Sequence, residues 1–146
     1  MGYISNIYKI DQIKNQYNGF PLISCVSLKI TISIFHDYTV IPLGELLSSV
    51  LTKYQPDERL YLIESEIEKI LSNLKTNKLL IKNIDILFNP DYRLDILRLF
   101  IKLSRNRSIV IQWPGELDIN SLIYSKPEYR DYRKYDIKDY DVICLK

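Results

Sequence analysis

Lys29 and Thr31 carry the two side-chain functions that a nucleotide's phosphates recruit, an ammonium and a hydroxyl. In a phosphate-binding loop of the form G-x-x-x-x-G-K-S/T, backbone N–H groups close around the phosphates. The lysine reaches the terminal ones, and the hydroxyl reaches Mg²⁺. That use needs glycines, because the backbone must turn tightly and approach the anion closely. The stretch here is Ser24-Cys25-Val26-Ser27-Leu28-Lys29-Ile30-Thr31, without a glycine, and Ile30 separates the lysine from the hydroxyl. The ingredients of phosphate chemistry are present and the loop that would use them is not.

The second half of such a site is an acid at the end of a hydrophobic strand, where it holds the metal and orients water. Residues 78–88, KLLIKNIDILF, supply the hydrophobic strand. Lys82 stands where the metal-holding aspartate belongs, and a lysine has no lone pair to give Mg²⁺ while it is protonated. Asp85 follows three residues later and reads better as a hydrogen-bonding or capping residue than as a base. The expectation is therefore no cofactor, no metal and no hydrolysis. The competing reading is an atypical NTPase in which Lys29, Thr31 and Asp85 still hold ATP and Mg²⁺.

A different chemistry is open to the second half of the chain. Residues 1–75 carry a formal charge of −1 and residues 76–146 one of +3. Arg98, Lys102, Arg105 and Arg107 form a basic set suited to a phosphate backbone. Arg105 and Arg107 have an ordinary alternative, as caps on helix carbonyls or partners of Asp91 or Asp95. Tyr129, Arg130, Tyr132 and Arg133 mix rings with charges. Such a mixture suits a protein interface, a stacking surface for single-stranded nucleic acid, or a plain solvated surface. Trp113, followed by Pro114 and Gly115, marks a strand's carboxyl end, where α/β folds keep their ligand crevice. Simple packing against the sheet is the plainer role for it. His36, the single histidine, reads as a helix-end residue beside Asp37. Glu64, Glu66 and Glu68 read as spread around a solvated helix side. Cys25 and Cys144 each sit in an apolar run and read as small buried hydrophobes.

These residues need a frame. The chain has 146 residues, 47% of them hydrophobic and 26% charged, which suits one domain with a real core. No apolar run reaches the roughly 18 residues of a membrane span. The first residues lack the layout of a secretory leader, and the expected location is cytoplasmic. A helix is expected within residues 1–19, through Ile4, Ile7, Tyr8, Ile13 and Tyr17, stopped by Asn18 and Gly19. A first buried strand follows at 20–27. Residues 28–36 are ambiguous, because β-branched residues favour a strand while the alternation of elements favours a helix. A strand at 39–43, a helix from Pro42 to Leu51, a longer helix at 58–74 and a strand within 78–88 come next. A helix capped by Asn89 and Pro90 runs to 104, and a strand spans 108–113. Residues 116–139 read as an irregular tyrosine-rich segment, and 140–145 as the last strand. Continuous apolar strands alternating with helices predict a three-layer α/β fold, a mostly parallel sheet of about five strands like that of P-loop NTPases.

Several strings resemble a known family. Asn83-Ile84-Asp85-Ile86-Leu87-Phe88-Asn89-Pro90, Leu103-Ser104-Arg105-Asn106-Arg107, Gln112-Trp113-Pro114-Gly115 and Pro127-Glu128-Tyr129-Arg130-Asp131-Tyr132 look like the small P-loop protein of type 3 BREX phage-defence systems. The likeness extends more weakly from about Phe20 to the C-terminus, through Pro42-Leu43-Gly44-Glu45-Leu46-Leu47 and Glu58-Arg59-Leu60. It implies a bacterial anti-phage role, other defence subunits as partners, and DNA as a further one. The chain departs from the family at the loop and at Lys82, so the likeness carries the fold and the system and not the catalytic residues. The leading expectation is a non-hydrolysing P-loop-like subunit acting through protein contacts. A nucleic-acid-binding module, the atypical NTPase and a mobile-element-encoded mimic that inhibits the complex are the alternatives. Homo-oligomers stay open.

Overall fold

The computed structural model describes residues 1–13 and 19–146. In chain order its elements are β1 (Tyr3–Ser5), α1 (Ile10–Ile13), β2 (Leu22–Ser24), α2 (Leu28–Ile34), β3 (Thr39–Pro42), α3 (Leu43–Leu51), α4 (Arg59–Ser72), β4 (Lys78–Lys82), α5 (Ile96–Leu103), β5 (Ser108–Gln112), β6 (Glu116–Asp118), β7 (Ser121–Tyr124), β8 (Arg133–Asp136) and β9 (Ile143–Leu145). Six strands form a parallel sheet in the order β1-β9-β2-β5-β4-β3, and β6-β7-β8 form a small antiparallel sheet. The α/β expectation holds, with a sixth strand at the edge.

The central strands are apolar on both sides because both sides are covered. Leu79, Leu80 and Ile81 of β4 are all fully buried, as are Val110 and Ile111 of β5. Successive residues face opposite ways. Leu79 and Ile81 thus join the core under α3, α4 and α5, while Leu80 joins Val110, Leu22, Ile143, Phe35, Ile7 and Ile10 on the other side. Burying one such side chain contributes about 1.5–3 kcal/mol. The larger core also takes Leu122 and Tyr135 of the small sheet.

The β-branched stretch at 28–36 becomes helix α2. Ser27 caps it, its Oγ accepting from Ile30 N at 3.3 Å. Residues 1–19 differ from the expected helix. Tyr3–Ser5 is a strand in parallel register with Ile143–Leu145, and among the described residues of this stretch only the four of α1 are α-helical. So few apolar residues fit a period of two as well as one of 3.6, and pairing with β9 settles the matter. The expected helical roles of Tyr17 and Asn18 lie outside the described residues.

Three further boundaries are corrected. The strand expected within 78–88 occupies its first five residues and ends at Lys82, because Asn83 turns into the left-handed region at φ 57° and a 3₁₀ turn follows at Asp85–Phe88. The helix expected from Asn89 is broken at Arg93, φ 52°. Asn89 caps only a 3₁₀ turn, and Asp95 caps α5 by accepting from Arg98 N at 3.2 Å. Residues 116–139 are the small sheet and its loops, not an irregular segment. Leu122 pairs with Tyr135 facing inward, while Lys134 and Asp136 face solvent, so the alternation is that of a half-buried strand.

The tip of the β6–β7 hairpin carries a conformational cost. Ile119 lies there at φ 53° and is 82% exposed. A β-branched residue in the left-handed region is strained by roughly 1–2 kcal/mol and gains no burial in return. Ile119→Gly should therefore raise stability by about 1 kcal/mol in urea denaturation; an unchanged or lower midpoint would show that the turn carries no strain.

Candidate functional site

The chain leaves β2 through α2 toward β3 at one edge, and leaves β5 toward β9 on the opposite side of β2. The carboxyl ends of β2 and β5 therefore flank the point where the winding reverses, which is where open α/β sheets place their ligands. Lys29, Thr31, Lys82 and the segment from Gln112 to Gly115 all fall on elements that end or begin at this edge.

The connection from β2 to α2 is only three residues, Cys25, Val26 and Ser27. Its carbonyls at Val26 and Ser27, and the hydroxyls around it, are bonded internally. Thr31 and Ser24 are fully buried, with 2.7 Å between their hydroxyl oxygens. Thr31 Oγ1 donates to the Ser27 carbonyl at 3.0 Å. Gln112 Nε2 donates to the Val26 carbonyl at 2.6 Å, and Trp113 N to the Ser24 carbonyl at 2.9 Å. Cys25 N donates to the Leu145 carbonyl at 2.9 Å. The segment is thus tied to strands on both of its sides. Thr31 faces inward and its hydroxyl is spent on holding the turn. Lys29 points out, exposed and without an ion pair. The structure therefore separates the two residues that a phosphate site would need together.

Asp85 opens the 3₁₀ turn after β4 and accepts from Tyr124 Oη at 3.0 Å. Burial, with Asp85 beside it, pushes the Tyr124 hydroxyl up to about 12. The bond ties the small sheet to the main one. The Tyr124 ring stacks on Phe88 at 3.7 Å, and Phe88 meets Trp113 edge-on at 5.5 Å. Trp113 is 4% exposed and donates from Nε1 to the Ile123 carbonyl at 3.0 Å. It packs beside the sheet, as its plainer reading expects. Gly115 permits this approach, since a Cβ there would collide with the Ile123 carbonyl.

The basic set is mostly committed to internal pairs. Arg98 pairs with Asp95 at 3.3 Å and lies over the Tyr140 ring at 5.4 Å. Lys102 meets Glu64 at 3.6 Å. Arg107 binds Glu68 at 2.6 Å, Ser72 Oγ at 3.2 Å and the Leu103 carbonyl at 3.3 Å. The carbonyl-capping role expected for Arg107 is present, but its carboxylate is Glu68, not Asp91 or Asp95. Asp91 instead meets Arg130, at 3.7 Å. Arg105 is exposed and unpaired. Arg133 donates to the Tyr132 carbonyl at 2.9 Å, while Tyr129 is 58% exposed. These residues make no single cationic face of free charges.

Glu66 departs from the solvated role expected of it. It is 6% exposed and accepts from Tyr54 Oη at 2.9 Å and from Lys69 at 3.3 Å, which fastens the α3–α4 connection to α4 and holds its carboxyl below the ordinary range. His36 stands exposed just beyond α2. Cys25 and Cys144 are free, and burial pushes the Cys25 thiol up to about 12 and that of Cys144 higher still. Cys144 is buried as expected, while Cys25 is only partly so.

Sequence reasoning missed Gln112, Ser24 and Tyr124. Their role depends on which strands are neighbours, and no local pattern carries that. No family model, curated protein or solved structure matches this chain. No helix among the described residues is long and apolar enough to cross a membrane.

Two outcomes follow from these charges. Arg107, foremost, holds the Glu68 carboxyl below its ordinary 4.5. The pair's contribution is then fully present above pH 4.5 and is lost as pH falls through the lower folded value. Glu68→Gln should be less stable than the parent at neutral pH, and the gap should close on acidification; a constant gap in pH-dependent denaturation would reject the pair. In gel-shift assays at low salt, single-stranded or duplex DNA should not be retarded. Retardation that weakens steeply with salt and is lost in Arg105→Glu would support a nucleic-acid role.

Proposed function

We propose that this chain is a P-loop-like subunit without hydrolytic activity, working through contacts with other proteins of a BREX-type anti-phage system. The observation that carries the loss of nucleotide chemistry is the closed three-residue connection at the winding reversal. A phosphate cradle needs several free backbone N–H groups around an opening. In this chain the connection is three residues long and holds no glycine, the Cys25 N–H is bonded to Leu145 and the Val26 and Ser27 carbonyls to Gln112 and Thr31, and Lys82 offers Mg²⁺ no carboxylate. Support for the P-loop-like frame comes from the parallel sheet with β2 and β5 flanking that reversal. The resemblance of the strings at 83–90, 103–107, 112–115 and 127–132 supports the defence system.

Protein contact is the remaining use of such a frame. Tyr61, Tyr8 and Tyr129 are 79%, 73% and 58% exposed, and tyrosine is enriched at interfaces. The cytoplasm is the compartment this reading implies, and unpaired thiols agree with it.

Thermal-shift titration with ATP and Mg²⁺ tests the proposal. A ligand at a hundred times its Kd stabilises the folded state by about 2.7 kcal/mol, a rise of several degrees for a domain of this size. The expected result is no rise and no phosphate release. A saturable rise, or measurable turnover, would sink the reading.

A further inference from the structure

Lys82 and Gln112 stand side by side at the carboxyl edge. β4 and β5 pair through Ile81 and Ile111, and these two residues come next on each strand. Pro42, opposite Lys82, and Ser24, opposite Gln112, extend the row on either side. Register neighbours share a face and lie about 4.8 Å apart. Here the shared face is the one that α2 covers, because Leu80 and Val110 two residues earlier lie in that core. A lysine side chain can span such a gap.

The two side chains have complementary needs. The Val26 carbonyl can only accept, so its 2.6 Å bond fixes Nε2 of Gln112 on that side. Oε1 is left buried without a partner, alone in this among the described side-chain atoms. Burying an unmade acceptor is costly. Ser24, on the other flank, has no hydrogen to give. The Thr31 hydroxyl donates to the Ser27 carbonyl, so the hydrogen between the two hydroxyls comes from Ser24. Lys82 is half-buried, with no ion pair or hydrogen bond of its own.

We propose that Lys82 is a latch. Its ammonium swings inward to donate a hydrogen bond to Gln112 Oε1, and the chain Lys82–Gln112–Val26 holds the β2–α2 connection shut. This rests on the reading of a closed nucleotide site and adds what keeps it closed. The residue that removes the metal-holding carboxylate also supplies the locking donor. Lys82 then exchanges between a latched rotamer and a solvated one.

Acetylation of the full chain with sulfo-NHS acetate, read by mass spectrometry, tests the latch. Lys82 should react about tenfold more slowly than exposed Lys29, as a hydrogen bond of a charged group implies. Gln112→Met keeps the length and loses the acceptor, so it should bring Lys82 close to the Lys29 rate while Lys29 is unchanged. Gln112→Glu keeps an acceptor for Lys82 and loses the donor to Val26, so it should leave Lys82 slow while amide exchange at residues 25–31 speeds up; this variant decides the matter if Gln112→Met does not fold. Lys82→Met should speed amide exchange at residues 25–31 although Gln112 is intact. Equal rates for Lys82 and Lys29, a slow Lys82 in Gln112→Met, a fast Lys82 in Gln112→Glu, or unchanged exchange in Lys82→Met would each overturn the latch. The nucleotide titration is a separate readout, so ATP binding would end the closed-site reading while the labelling still decides the contact.

Discussion

Parallel strands joined through a covering layer cross over with a right hand, and this constraint governs where every layer of the chain lies. Moving from β1 to β2 and from β2 to β3 carries the chain toward one edge of the sheet; β3 to β4, β4 to β5 and β5 to β9 carry it back. With a fixed hand, reversing direction means changing face. The first two connections therefore put α1 and α2 on one side. The later ones put α3, α4, α5 and the small sheet on the other, and the two cores divide accordingly. The reversal also decides which strand ends meet. β2 is flanked by β9 and β5, which come late in the chain, so a turn at 25–27 is bonded by Gln112 and Leu145.

That meeting place is usually where an α/β sheet opens for a ligand. Here it is closed by short reach and by hydrogen bonding. Three residues leave little slack, Ser24, Thr31 and Ser27 bond one another across the turn, and Gln112 holds the Val26 carbonyl. The polar groups are real and their types are those of phosphate chemistry, yet their geometry stabilises the protein's own backbone. Asp85 follows the same rule: its carboxylate takes the Tyr124 hydroxyl and fastens the small sheet over Phe88 and Trp113.

The parts of the fold legible in the sequence are those with long, unambiguous periodicity. The helix at 59–72 and the strands at 78–82 and 108–112 declare themselves, because burial on one stripe or on both faces leaves a plain pattern. Short elements do not. Three residues at Tyr3–Ser5 carry too little pattern to choose between helix and strand, and the partner that chooses lies about 140 residues away. The hairpin at 116–124 has Ile119 and Asn120 at its tip and lacks the glycine that usually announces such a turn. Left-handed Asn83 and Arg93 end regular structure where no glycine or proline warns of it.

By itself the sequence determined that a glycine-free stretch follows the first buried strand, that a lysine and not an acid stands at position 82, and that the strands are covered on both faces. Those are matters of residue type and local order, because backbone freedom and charge belong to the residue wherever it lies. Only the tertiary structure decided what the surviving polar groups do. Register sets Lys82 beside Gln112 and Gln112 beside Ser24, and packing turns Thr31 inward and Lys29 out. It likewise spends Arg107 on Glu68. A side chain's partner is fixed by strands and helices that are distant in the chain and adjacent in space, and linear spacing holds no record of that adjacency.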